Sequence, residues 1–279
     1  MQKTILSALS ILCCFPFLPA TPLIPKPPSL LPKPPSQAIT TPDTSSPKPP
    51  VNPNANQDIG VIELRNYVLR PGSRERFTHL FESNFMESQN VLGGYILGEF
   101  RLKGEPDHFF WIRGFKDMSA RGKMLPAFYH GPVWKQHREE ANGMLVNNDN
   151  VYLLRPLKPF NSNELIHKGI VVLDYYIANC KLGRLITLFN DSLLPIQQQN
   201  GITHTTLWVS EPAENDFPAL PVFQNKDLLV SITLYKNEAE YRSKMRRLRA
   251  AILPGLQTEL DDAITTRTTL IIYPNPKSL

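Results

Sequence analysis

The chain has 279 residues, of which 42% are hydrophobic and 20% charged. That is enough apolar material for a packed core and too much for a disordered or collagen-like chain. Four lysines against one aspartate before residue 58 carry most of the formal charge of +5, so no nucleic-acid footprint is expected on the nearly balanced remainder.

Residues 1–20 read as a secretory signal. Lys3 is the charged start, Ile5 to Phe17 the apolar stretch, Pro16 and Pro19 the break, and Ala20 a small residue for cleavage. The run is too short to span a bilayer. Cys13 and Cys14 raise a lipid anchor as an alternative, although Ile11 and Leu12 before them are larger than a lipobox uses. Export is therefore expected, to the periplasm, the cell surface or the medium, with membrane contact only through the leader or that anchor. Cleavage after Ala20 would leave Cys180 as the single cysteine, with no internal disulfide. Twelve of the 27 prolines crowd between Pro22 and Pro53, so residues 21–57 read as a semi-rigid tether. A polyproline ligand for a partner is the sharper alternative.

From residue 58 the pattern changes. VIELRNYVL (61–69) alternates as a strand, and 73–88 carries Phe77, Leu80, Phe81 and Phe85 at helical spacing. GYILGEFRL (94–102) and DHFFWIRGF (107–115) predict a hairpin turning at Gly104, Glu105 and Pro106. Helices are predicted over 117–129, behind an Asp117 cap, and from Pro132; NVYLLRP (150–156) closes the unit as a strand. The order then returns: strands at 169–178, 202–210, 228–236 and 268–274, helices at 180–198, 237–250 and 254–264. The five basic residues from Arg242 to Arg249 fall on one of these helices behind Glu238 and Glu240, and read as a solvated face. Cys180, at the start of another, reads as a packed small residue.

At an offset of 108 the copies share Tyr67/Tyr175, Arg76/Arg184, Leu80/Leu188, Phe81/Phe189 and Gly93/Gly201, and Phe100 matches Trp208. After an insertion near 211–227 the offset becomes 120, pairing Phe115 with Tyr235. This reads as an internal duplication of a split βαβ unit. The fold class is α+β: two tandem ferredoxin-like units, 58–160 and 165–279, whose bare sheet faces meet as an intrachain pseudo-dimer, a dimeric α/β-barrel made from one chain.

Glu63, Arg65 and Tyr67 share one parity in the first strand, and Trp111, Arg113 and Phe115 share one in the third. With the apolar parity assigned beneath the helices, the charged set is expected inside the barrel. There Arg65 and Arg113 would clamp an anionic group between Tyr67 and Trp111, or would form an ion network with Glu63 that fixes register. In AFYHGPVWKQHREEAN (127–142), Trp134, His137 and Arg138 share a helix face, and the second copy has Leu256, Glu259 and Leu260 instead. His137 and Glu63 are the candidate general bases. No metal or cofactor motif occurs: His130 and His137 have no third ligand at regular spacing.

At ELRNYVLRPGSRERF, WIRGF and FYHGPVWKQHREEAN…DNVYLLRP the chain resembles the NIPSNAP family over about residues 61–156, and more loosely in the second copy. The resemblance implies the dimeric α/β-barrel fold, shared with cofactor-independent monooxygenases, and places the family motif on Glu63, Arg65, Tyr67, Trp111, Arg113, Gly114, Tyr129, Gly131, Pro132, Trp134, His137 and Arg138. The leader and tether set this chain apart from mitochondrial members. The expectation is an exported protein that binds a small anionic or aromatic ligand in the barrel of the first copy. Arg65, Tyr67, Trp111, Arg113, Tyr129, Trp134 and Arg138 would hold it. The alternatives are a cofactor-independent oxygenase or isomerase, and a protein-interaction module with a filled barrel. The assembly is expected to be a monomer closed on itself or a homodimer.

Overall fold

A computed structural model of the chain describes residues 56–165 and 169–275; the expected leader, and the tether before Asn56, lie outside them. The alternating run Val61–Leu69 forms β1. Arg74–Leu80 (α1) and Met86–Asn90 (α2) are joined by a π-helical turn at Phe81–Phe85, where the phenylalanine spacing predicts one regular helix. The hairpin is β2 (Tyr95–Leu102) and β3 (Glu105–Phe115). Its turn is tighter than expected. Leu102 already pairs with Glu105, leaving Lys103 and Gly104 to turn the chain, with Gly104 at φ +83°, a conformation that favours glycine.

The helix α3 (Met118–Tyr129) starts behind Asp117, whose carboxylate accepts from the Ala120 N–H at 2.7 Å. Pro132 opens α4 (Pro132–Met144), and β4 (Leu145–Pro156) begins earlier than its apolar run suggests. A 3₁₀ turn (Ser162–Leu165) pins the last of the tether, with Gln57 N donating to Ser162 Oγ at 2.9 Å. The chain continues through β5 (Ile170–Ala178), α5 (Leu182–Leu188), a second π-helical turn (Phe189–Leu193) and α6 (Leu194–Gln199). It ends with β6 (Thr205–Ser210), β7 (Leu228–Tyr235), α7 (Glu238–Ala251), α8 (Pro254–Ala263) and β8 (Ile264–Pro274).

All eight strands form one closed antiparallel barrel in the order β1-β3-β2-β8-β5-β7-β6-β4. Two short seams close it: Phe100 to Leu102 against Ile272 to Pro274, and Leu154 to Pro156 against Trp208 to Ser210. Closure leaves no strand edge open.

The residues pack in three layers. Ile62, Leu64, Phe110 and Ile112 meet Val171, Leu173, Val230 and Ile232 in one apolar cluster inside the barrel. Tyr67, Phe81, Phe109, Trp111 and Phe128 pack between the sheet and α1–α4. Tyr176, Phe189, Leu207 and Leu248 do the same under α5–α8.

This corrects the facing expected of the charged parity. Glu63, Arg65, Tyr67, Trp111 and Arg113 lie between the sheet and the helices, and the barrel interior belongs to the apolar parity. Both sheet faces are buried, so alternation separates two sets of side chains without saying which set is inside. One repeat pairing is corrected as well. Val61 pairs with Phe115 as Ile170 pairs with Tyr235, so Tyr67 corresponds to Tyr176, while Tyr175 points into the barrel. A shift of one residue in a strand reverses every face.

Candidate functional site

Three fully buried arginines converge on one fully buried carboxylate. Glu63 Oε2 accepts from Arg65 Nη1 at 2.9 Å and from Arg113 Nε and Nη2 at 2.9 and 2.5 Å; Glu63 Oε1 accepts from Arg121 Nε at 2.9 Å. β1 places Glu63 and Arg65, β3 places Arg113 directly opposite Glu63, and the first turn of α3 lowers Arg121 onto them. Burial alone would raise the Glu63 carboxyl, but Arg113, Arg65 and Arg121 together hold it well below the usual carboxylate range.

The second acceptor for these guanidiniums comes from a distant part of the chain. Arg121 Nη1 donates to Asp216 Oδ1, and to Asn215 Oδ1 at 3.0 Å. Arg113 Nη1 donates to Gln89 Oε1 at 2.6 Å, and Gln89 Nε2 in turn to Phe85 O at 3.1 Å. Three guanidiniums thus face two carboxylates, an excess of one positive charge.

Above this network lies a cavity of about 290 Å³. Tyr67 and Trp111 form its floor, Phe81 and Phe85 of the π-helical turn one wall, and Tyr129 and Trp134 another. Phe217 and Leu220, from the long loop between β6 and β7, complete it; Phe217 stacks on Tyr129 at 5.7 Å with an interplanar angle of 21°. The Trp111 ring sits between Arg65 and Arg113, 5.3 and 5.1 Å from their guanidinium carbons. Arg65 Nε donates to the Tyr67 hydroxyl at 3.0 Å. Burial pushes that hydroxyl up, so at neutral pH it keeps a proton to donate. The Trp111 indole Nε1 is buried without a hydrogen-bond partner.

The predicted residues divide accordingly. Tyr67, Trp111, Tyr129 and Trp134 line the cavity, and Arg65 and Arg113 support its floor. His137 is half-buried with its ring 6.2 Å from that of Phe85, and it does not line the cavity. The Arg138 side chain is 52% exposed and pairs with Glu139 at 3.3 Å; it does not reach the cavity. Glu63, expected as a candidate general base, is closed off by its guanidiniums, and a carboxylate so strongly stabilised as an anion is a weak proton acceptor. Among the described residues no three His, Cys, Asp or Glu side chains gather as metal ligands.

Sequence reasoning missed Arg121, Gln89 and the 215–220 loop. Arg121 stands four residues after the recognised Asp117 cap, on the first inward position of its helix. The loop falls in the insertion near 211–227 at which the expected repeat changes its offset, and such a loop is a place to look for added function.

The fold and the cavity together define a ferredoxin-like α/β barrel with its pocket between sheet and helices. Residues 62–159 match the NIPSNAP family model, so the chain carries a NIPSNAP domain over that stretch. Similar solved structures include candidate monooxygenases from Lactobacillus acidophilus NCFM and Fusobacterium nucleatum. The first is 12% identical, with a TM-score of 0.50 over 77% of this chain and 93% of that one; the second is 9% identical, with a TM-score of 0.52 over 77% and 92%. A NIPSNAP-like domain protein from Burkholderia xenovorans is 24% identical over 36% of this chain and 90% of its own, with a TM-score of 0.33. No curated protein matches the chain.

Proposed function

We propose that the chain is a tandem pseudo-dimer whose first half binds a flat, apolar small molecule carrying an oxygen acceptor. The duplication is supported by the strand order of each half, β4-β1-β3-β2 and β8-β5-β7-β6, read around the barrel in the same sense. It is also supported by π-helical turns at Phe81 and Phe189 and by side-chain caps at Asp117 and Asn237.

The observation that carries the ligand reading is Trp111. The residue is 2% exposed, it lines the cavity, and its Nε1–H has no partner in the protein. A buried donor left unsatisfied costs about 1–3 kcal/mol, and a ligand oxygen would recover it. The aromatic walls suit a planar body, and the excess positive charge beneath the floor favours an electron-rich oxygen. Oxygenase or isomerase chemistry would need a base; neither His137 nor Glu63 lines the cavity, and the histidine that does is His130, so binding, which needs no base, is the reading the unpartnered Trp111 donor supports most directly. The leader and tether read from the sequence add export to it.

Calorimetric titration of the full chain tests the site with 2-acetylnaphthalene and with 2-ethylnaphthalene, a near-isostere that lacks the carbonyl. The ketone is expected to bind about tenfold more tightly, the worth of one net hydrogen bond, and Trp111→Phe to abolish the difference. Equal affinities in the native protein, or no binding of either compound, would refute the assignment.

A further inference from the structure

The second half carries its own cavity, of about 450 Å³, between its sheet and α5–α8. It occupies the position that the aromatic cavity holds in the first half, but its chemistry is different. Where the first half has Trp111, Phe128 and Tyr129, the second has Ser231, Leu248 and Arg249, which opens space and adds polar groups. The floor is Asp174, Tyr176, Thr233 and Tyr235.

Gln197 shows what that floor lacks. It corresponds to Gln89, whose Oε1 accepts from Arg113 at 2.6 Å. In the second half Thr233 stands where Arg113 would be, too short to replace the guanidinium, and Gln197 Oε1 is buried without a partner on the cavity wall. The first cavity therefore holds an unsatisfied donor and the second an unsatisfied acceptor.

Charge narrows the ligand further. Asp174 is already neutralised by Arg267, whose Nη2 and Nε donate to Oδ1 at 3.0 and 3.2 Å, and it also accepts from Thr269 Oγ1. The Arg267 guanidinium lies 5.3 Å over the Tyr176 ring, so the seat an organic cation would take is filled. Two carboxylates, Asp174 and Asp261, and two guanidiniums, Arg249 and Arg267, line the cavity, so its formal charges balance and an anion gains no net attraction there. What remains favoured is an uncharged molecule that donates hydrogen bonds to Gln197, accepts them from hydroxyl and guanidinium groups, and lays an apolar face on Phe189 or Leu248.

We propose that this second cavity is a binding site for an uncharged polyhydroxyl molecule of monosaccharide size. It does not depend on the aromatic-ligand reading of the first cavity, because the two share no lining residue.

Saturation-transfer NMR on the full chain tests it with the methyl glycosides of glucose, mannose and galactose, against methyl glucuronide and methyl glucosaminide as charged analogues. At least one neutral glycoside is expected to bind, and at least tenfold more tightly than either charged analogue. Gln197→Met removes the acceptor, and Gln257→Trp narrows the entrance from an exposed position on α8 where folding is not at stake. Each is expected to lose at least tenfold in affinity. Absence of transfer to every neutral glycoside, a charged analogue binding as well as the neutral ones, or affinity that survives Gln257→Trp would each overturn the proposal.

Discussion

Glu63 is the residue whose loss the first half would feel most. It is the common acceptor for Arg65, Arg113 and Arg121, all fully buried. Removing one partner of such a network strands the others without compensation, at about 3–5 kcal/mol. Glu63→Gln is thus expected to lower the unfolding free energy by that amount, read as a lower urea midpoint at unchanged m-value, whereas Arg138→Ala, exposed and off the cavity, should lie within about 0.5 kcal/mol of the native protein. A Glu63→Gln chain as stable as the native one would contradict the network. The acid side of the stability curve follows from the same carboxylate and from Glu238. Glu238 accepts from Lys103 Nζ at 2.5 Å and from the Tyr273 hydroxyl, and these bonds bring it from 4.5 to about 2. A folded value below the unfolded one means stability that is whole above pH 4.5 and is lost as pH falls toward the folded value. Urea midpoints are expected to hold from pH 7 to about 5 and then fall, more gently in Glu238→Gln; a flat profile down to about pH 3 would contradict this.

Among elements, the loop between β6 and β7 has the clearest consequence. It belongs to the second half by sequence, yet Asp216 binds Arg121 and Phe217 stacks on Tyr129 over the first cavity. An aromatic pair adds about 0.5–1.5 kcal/mol beyond its buried area. Phe217→Ala is accordingly expected to weaken 2-acetylnaphthalene binding about three- to tenfold in the same titration while leaving the melting temperature nearly unchanged; unaltered affinity would mean the loop merely lies near the site. The two π-helical turns are the other shared device. Each sets two large side chains, Phe81 and Phe85 or Phe189 and Leu193, over a cavity, in keeping with the habit of such turns to gather at functional sites.

At these two scales the sequence was legible in parity and spacing, and silent on direction. The alternation of β1 grouped Glu63, Arg65 and Tyr67 correctly. It could not say that the group lies under the helices, because Ile62 and Leu64 on the other face are just as buried, against the second half of the same barrel. The one-residue difference between the β1–α1 and β5–α5 connections likewise hid the match of Tyr67 to Tyr176 behind an identity with Tyr175. The cavity walls contributed by Phe217 and Leu220 depend on a fold-back of more than ninety residues from Arg121, which no local pattern records.

For the whole molecule, the barrel holds itself closed by two seams of three residue pairs each, and what they protect is the apolar interior shared by both halves. A fragment of residues 56–165 would expose Ile62, Leu64, Phe110 and Ile112 together with two unpaired strand edges. Light scattering after size exclusion is expected to find that fragment dimeric or larger and the full chain monomeric; a stable monomeric fragment would contradict the shared core.

The central claim is that Trp111 offers its indole N–H to a ligand in the first cavity, and indole ¹⁵N–¹H NMR reads that bond directly. The chain has three tryptophans, and Trp208 Nε1 already donates to Thr206 Oγ1 at 2.9 Å, an internal reference. Saturating 2-acetylnaphthalene is expected to move the Trp111 signal downfield and slow its exchange with water, with Trp208 unmoved and with no such shift from 2-ethylnaphthalene. A Trp111 signal that stays in place while the ketone is bound would contradict the account.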